Sequence, residues 1–175
     1  MEKILSKAAK IRLVIFDVDG VLTTGNLIYR PNGSESKTFH VHDGVGLRML
    51  LKSGVDVGII TARTSDVVSK RMQDLDIKHV YQGAADKVIA YEDLKTRLNL
   101  QDEQVAYVGD DLPDLPLFKR VGLAITVPNA PPIMLKHATH VTKTQGGQGA
   151  AREVCEMIMQ AQGSYDAAIQ SYLDR

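Results

Sequence analysis

Two aspartates, Asp17 and Asp19, close the apolar run Ile11-Arg-Leu-Val-Ile-Phe16 and open the stretch Asp17-Val-Asp-Gly-Val-Leu-Thr-Thr-Gly25. On an extended chain, residues two apart point to the same side, roughly 7 Å from each other. At an effective dielectric of about 20, two full charges at that distance repel by roughly 2 kcal/mol. A fold gains nothing from that repulsion, so the pair predicts either a cation that neutralises it or a proton carried for chemistry. Further polar residues with chemical capacity lie in Thr61-Ala-Arg-Thr-Ser65, Gln82-Gly-Ala-Ala-Asp-Lys87 and Gly109-Asp-Asp-Leu-Pro-Asp114.

The elements that must position them follow from hydrophobic periodicity. Short apolar, β-branched runs over 12–16, 55–61, 79–81, 105–108, 123–127 and 140–142 read as buried strands. Helical spacing falls between them, over 46–53, 65–75, 87–98, 114–121, 131–137 and 150–160, and residues 1–10 read as a short amphipathic helix. This alternation predicts an α/β fold of three layers, a Rossmann-like parallel sheet with helices on both faces. In such a sheet ligands bind beyond the carboxyl ends of the strands. Each of the polar stretches above follows a predicted strand, so carboxylates, a hydroxyl and a lysine converge on one rim.

One segment breaks the alternation. Asn26-Leu-Ile-Tyr-Arg-Pro-Asn-Gly33 and Lys37-Thr-Phe-His-Val-His42 predict two strands of a β-hairpin inserted over about 26–42. On that reading His40 and His42 share one strand face; with no third ligand evident, they form a polar face rather than a metal pair. Cys155 sits at helical spacing with Ala151, Val154 and Ile158, which assigns it to packing. Gly146-Gly-Gln-Gly149 lacks the Lys-Ser/Thr of a phosphate-binding P-loop and reads as a turn.

At 175 residues the chain is expected to form one domain, 1–175. Its 21 basic and 21 acidic side chains give no positive field of the kind nucleic acid or an anionic membrane demands. One cysteine, no signal-peptide pattern and no spanning apolar run predict a soluble cytoplasmic protein.

The order Asp-x-Asp-Gly, then a strand ending in Thr, then Lys, then Gly-Asp-Asp-x-x-Asp resembles the four motifs of the haloacid dehalogenase superfamily. Within it the chain most resembles a small cap-less branch, the 3-deoxy-D-manno-octulosonate 8-phosphate (KDO 8-phosphate) phosphatases. The likeness runs through Asp43-Gly-Val-Gly-Leu47, Tyr81-Gln-Gly83, Ala106-Tyr-Val-Gly-Asp-Asp111 and Gly146-Gly-Gln-Gly-Ala150 with Arg152-Glu-Val-Cys155. The resemblance implies a magnesium-dependent phosphatase of an acidic sugar phosphate, in lipopolysaccharide precursor synthesis, working through an aspartyl-phosphate. It assigns Asp17 as nucleophile and Asp19 as acid and base. It places Mg2+ on Asp17, the main-chain carbonyl of Asp19 and Asp110, with Asp111 and Asp114 orienting its surroundings. Thr61 and Lys87 are to hold the phosphoryl group, Gly83 to contact substrate, and Gly20 and Gly109 to let backbone approach closely.

Arg63 and Arg71 are expected to meet the sugar's carboxylate, because a planar guanidinium suits one. The family's cap domain has no room here. The resemblance therefore implies a homotetramer whose hairpins, with apolar Ile28, Tyr29, Phe39 and Val41, let subunits close one another's sites, and a C-terminal tail, 163–175, that extends past the domain. His42 and Gln148 stand where arginine is frequent in the family, and Ala62 where glycine is. The nearest alternative is a phosphatase of a nine-carbon sugar acid phosphate. A phospho-acceptor signalling domain also fits a phosphorylated Asp on a parallel sheet, but it carries its acidic pair and its acceptor on different strands.

Overall fold

The computed structural model describes residues 2–174. After helix α1 (Glu2–Ala8), strand β1 (Leu13–Phe16) enters the middle of the molecule, followed by the short strands β2 (Ile28–Tyr29) and β3 (Glu35–Ser36). Then come α2 (Val41–Lys52), β4 (Asp56–Ile60), α3 (Asp66–Asp74), β5 (His79–Tyr81), α4 (Lys87–Arg97) and β6 (Val105–Val108). The chain closes with α5 (Leu115–Phe118), β7 (Leu123–Thr126), α6 (Pro132–His137), β8 (His140–Val141), α7 (Ala150–Ala161) and α8 (Tyr165–Leu173). Six strands form one parallel sheet in the order β5-β4-β1-β6-β7-β8, with β1 hydrogen-bonded on both sides, Phe16 opposite Ile59 and Val108. Asp17 therefore leaves the centre of the sheet at its carboxyl edge.

The period of two along each strand divides the core. Val14 and Phe16 of β1, Val57 and Ile59 of β4, and Ala106 and Val108 of β6 face the layer made by α2, α3 and α7. Leu13, Ile15, Ile60, Val105 and Tyr107 face Tyr91 and Leu94 of α4, Leu117 of α5 and Met134 of α6. All these strand side chains are fully buried, which is why they read as unbroken apolar runs.

The predicted strands and most of the predicted helices stand within a residue or two of their expected bounds, with three differences. The second hairpin strand is Glu35–Ser36, and 37–42 is not a strand. His40 caps α2 instead, its Nδ1 accepting from the His42 amide at 3.3 Å, so His42 lies in the first helical turn. The helix starts five residues before the expected position. Gly44 and Gly46, weak helix formers, are spent on close packing: a Cβ at Gly46 would stand 2.9 Å from Arg152 Cα of α7. The predicted helix over 114–121 is a 3-10 turn, Leu112–Asp114, followed by the single turn of α5 (Leu115–Phe118), with Pro113 and Pro116 at the starts of the two turns.

The C-terminal tail does not extend away either. It turns at Gly163, φ +70°, and folds back as α8, where Tyr165, Ala168 and Ile169 pack on the α2 and α7 layer. No cap domain occupies either place where one could be inserted. Between Asp17 and Thr61 lie the hairpin, α2 and β4, and between Lys87 and Asp110 only α4, a 3-10 turn and β6. Among the described residues no helix is long and apolar enough to cross a membrane.

Candidate active site

At the carboxyl edge of β1, β4 and β6 a cleft of about 290 Å3 is lined by Asp17, Asp19, Thr61, Arg63, Lys87 and Asp110, together with Gly25, Ala62, Asp111, Pro113 and Asp114. A groove of similar size between α2 and α8 has no carboxylate in its wall. Chemistry rather than volume distinguishes the cleft.

Asp17 follows β1 directly and is 8% exposed. Its Oδ1 accepts the Val18 amide at 2.6 Å and its Oδ2 accepts Lys87 Nζ at 2.7 Å. Lys87 reaches it from the first turn of α4, a helix begun by Asp86, whose carboxylate accepts the Val88 amide. The same ammonium donates to Asp114 Oδ1 at 2.5 Å and to the Tyr107 hydroxyl at 3.2 Å. Burial pulls the Lys87 pKa down, but Asp17 and Asp114 outweigh it and hold the lysine above its ordinary value.

Asp114 completes a closed network. Its Oδ1 also accepts the Tyr107 hydroxyl at 2.6 Å, and its Oδ2 accepts the amides of Asp110 and Asp111 at 2.9 and 3.2 Å. Tyr107 belongs to this site although sequence reasoning passed over it. The one available signal was a hydroxyl in the otherwise aliphatic strand Val105-Ala-Tyr-Val108, which needs a partner once buried. Gly109 makes the turn possible, since a Cβ there would lie 2.5 Å from Asp114 Cγ.

Ligand atoms of Asp17, Asp110 and Asp114 all lie within 4.8 Å of one another. Three carboxylates face one lysine, a deficit of two positive charges. Burial first, then Asp114, raises the Asp17 pKa to about 6. Burial first, then Asp17, Asp114 and Asp111, raises Asp110 to about 7. Among the described residues the Asp110 carboxylate accepts no hydrogen bond, whereas both oxygens of Asp114 are filled by donors. An all-oxygen set with this charge deficit fits a small hard divalent cation, with Asp17 and Asp110 offering the free lone pairs and Asp114 holding the turn. Asp111 starts the 3-10 turn, accepting the Leu112 amide at 2.8 Å, and is exposed.

The backbone of the Asp17 loop is held from behind. Thr23 Oγ1 accepts the Gly25 amide at 3.2 Å, and Gly147 N donates to Val21 O at 2.9 Å. Added Cβ atoms at Gly20 and Gly146 would fall 1.9 Å from Asp110 Oδ2 and 1.8 Å from Gly20 O, so the Gly146-Gly147 turn braces this loop. Thr61 follows β4; its amide is used by Tyr81 O at 2.9 Å, and its hydroxyl makes no hydrogen bond among the described residues.

On the other side the hairpin backs Asp19 and Arg63 from behind without lining the cleft itself. Lys37 Nζ, on a side chain 2% exposed, lies 2.5 Å from Asp19 Oδ1 and 3.3 Å from Glu35 Oε1. Arg63 Nη2 donates to Glu35 Oε2 at 2.5 Å and to the Tyr29 hydroxyl at 3.3 Å, while its Nε is 3.7 Å from Asp19 Oδ2. Lys37 and Glu35 were missed from sequence, because a charged residue on a predicted hairpin reads as solvated.

Two expected substrate contacts lie elsewhere. Arg71, on α3, places its guanidinium 5.8 Å from the centre of the Phe39 ring and against Gly44 of α2, outside the cleft wall. Arg63 precedes α3 while Arg71 lies within it, so the two do not share a helix face. Gly83, φ +67°, spends its amide on Arg63 O at 3.3 Å and supports the Arg63 loop without lining the cleft.

Residues 79–154 match the family of haloacid dehalogenase-like hydrolases. The chain is 48% identical over 168 residues to the KDO 8-phosphate phosphatase KdsC of Yersinia pestis, covering 95% of this chain and 89% of that protein. It is 47% identical over 165 residues to KdsC of Escherichia coli K12, covering 94% and 88%. A solved structure of the phosphatase from Moraxella catarrhalis, in complex with a magnesium ion, a phosphate ion and a KDO molecule, superposes with a TM-score of 0.96 at 42% identity, over 98% of this chain and 99% of that one. With the acidic cleft at the end of β1 and no cap domain above it, the chain belongs to the KDO 8-phosphate phosphatases of the haloacid dehalogenase-like hydrolases.

Proposed function

We propose that the protein is a magnesium-dependent phosphatase that hydrolyses 3-deoxy-D-manno-octulosonate 8-phosphate to the free sugar acid and phosphate, through an aspartyl-phosphate on Asp17. The observation that carries this reading is one cleft in which Asp17, Lys87 and Asp110 converge beside the free hydroxyl of Thr61. Phosphate monoesters resist hydrolysis so strongly that enzymes supply up to roughly 10²¹-fold acceleration. Charge neutralisation, a nucleophile and a proton donor are all needed.

In the first half-reaction an Asp17 carboxylate oxygen bonds to phosphorus and the bond from phosphorus to the sugar oxygen breaks, while Asp19 gives that oxygen its proton. In the second, water bonds to phosphorus and passes a proton to Asp19, and the bond to Asp17 breaks, releasing phosphate. Lys87 fixes the Asp17 carboxylate and, with the Thr61 hydroxyl, balances and orients the phosphoryl oxygens. Asp17, Asp110 and the main-chain carbonyl of Asp19 would hold magnesium, which would neutralise the charge on those oxygens. Arg63, on the cleft wall, is the side chain we assign to the sugar carboxylate.

We read the assembly as a homotetramer of single-domain subunits. Support comes from the hairpin, a two-stranded ribbon apart from the main sheet on which Leu27, Ile28 and Tyr29 are 48, 45 and 61% exposed. Light scattering after size exclusion tests the mass. The product sugar acid fits lipopolysaccharide precursor synthesis, and a single buried free thiol, Cys155, suits a reducing cytoplasm.

The test of function is phosphate release from a panel of sugar acid phosphates and hexose phosphates, with magnesium or with chelator. The eight-carbon sugar acid phosphate should be preferred, with turnover lost on chelation. Preference for simple hexose phosphates by a wide margin would overturn the substrate assignment, and preference for a nine-carbon acid would shift it to that substrate.

A further inference from the structure

We infer that Lys37 of the hairpin is a positioning residue for the acid and base, holding one oxygen of Asp19 so that the other is presented to the reacting group. This inference rests on the assignment of Asp19 as proton carrier in the phosphatase reading. Lys37 is the first residue after β3, 18 positions from Asp19, and its ammonium reaches Asp19 Oδ1 at 2.5 Å. The side chain is only 2% exposed and is not part of the cleft wall, so it does not touch substrate. A buried ammonium is costly unless paired, and two carboxylates meet it, Asp19 and Glu35. Glu35 is in turn tied to Arg63, which anchors the hairpin to the loop after β4.

The two Asp19 oxygens are thereby made different. Oδ1 is occupied by Lys37, while the nearest cation to Oδ2 is Arg63 Nε at 3.7 Å, beyond a hydrogen bond. Oδ2 is the oxygen left free to give a proton to the leaving group and to take one from water. Without Lys37 the side chain can turn about its Cα–Cβ bond and offer either oxygen at the wrong distance. A misplacement of about 1 Å in a reacting group costs on the order of 100-fold in rate. The hairpin thus has a task inside its own subunit, independent of any contact it makes with another.

The experiment is a double-mutant cycle on Lys37 and Asp19, followed by phosphate release from the eight-carbon sugar acid phosphate. Lys37→Met should lower kcat by about 10- to 100-fold with KM within about threefold of wild type. Lys37→Arg should recover part of the loss. In the Asp19→Asn background, Lys37→Met should add less than about a threefold further loss, because there is no proton carrier left to position. The same loss in both backgrounds, or a raised KM with kcat intact, would overturn the inference in favour of a structural or substrate-binding role. Full turnover by Asp19→Asn alone would overturn the proton-carrier reading and this inference with it. If Lys37→Met fails to fold, the pair Glu35→Gln with Lys37→Met removes both members of the buried ion pair and enters the same cycle.

Discussion

The two walls of the cleft are built on opposite plans. The Asp17 wall stands on the ends of parallel strands, where Lys87, Asp17, Asp114 and Tyr107 are buried and joined in one hydrogen-bond network. The second wall, made by Asp19 and Arg63, is backed by a ribbon of two paired residues per strand, whose Lys37 and Glu35 reach them across the loops. Backbone geometry fixes the first wall, and side-chain charge pairing fixes the second. The rigid wall suits the phosphoryl group, common to every substrate of this chemistry. The hairpin-backed wall holds Asp19 and Arg63, to which the proposed function gives the proton transfer and the sugar carboxylate.

Removing the lysine of the rigid wall should give the largest effect. Lys87→Met leaves Asp17 and Asp114 buried without their shared cation, which should cost about 3–5 kcal/mol of stability near neutral pH. Denaturant titration checks that value, and phosphate release should fall by at least about 10³-fold. A variant of near-native stability would show that the network is not what holds this wall.

The wall that the hairpin backs should respond more mildly and more selectively. Arg63→Met should lower kcat/KM for a sugar acid phosphate by about 10- to 100-fold, while costing a sugar phosphate without a carboxylate less than about threefold. Kinetics on the two substrates side by side measure this. Equal losses would assign Arg63 to the hairpin's integrity through Glu35 and Tyr29 rather than to substrate.

The smallest effect concerns the charge deficit of the Asp17 wall. Without metal, Asp17 and Asp110 hold their protons to about pH 6 and 7, above the ordinary carboxylate value of 3.8. The native state then binds more protons than the unfolded chain between about pH 4 and 7, so stability falls as pH rises through that window. At the proposed metal site magnesium would bind the ionised carboxylates, so its stabilisation should be larger at pH 8 than at pH 5. Thermal melts with and without magnesium at the two pH values measure the difference. Equal shifts at the two pH values would place the metal on groups other than these.

The same contrast explains what could be read from sequence. Strand ends and helix starts carry local signals, so Asp17, Thr61, Lys87 and Asp110 could be located by placing each after an apolar run or at a helix start, and the structure gathers them in one cleft. Tyr107 was hidden because its hydroxyl finds Asp114 only after a turn across Gly109. Lys37 and Glu35 were hidden because their partners lie at separations set by how the hairpin folds over the loops, which periodicity does not encode. The start of α2 was obscured by Gly44 and Gly46, whose low helix propensity is overridden by packing against α3 and α7. Arg71, a chemically apt residue, is placed by its helix against Phe39 and outside this chain's cleft.

The central claim is that Asp17 carries the phosphoryl group during turnover. Acid quenching of the enzyme during turnover of the eight-carbon sugar acid phosphate with magnesium, followed by peptide mass spectrometry, tests it most directly. The account predicts one phosphoryl group on the peptide containing Asp17, absent from Asp17→Asn, which should also lose at least about 10⁴-fold in turnover. A phosphoryl group on another residue, or turnover undiminished in Asp17→Asn, would contradict it.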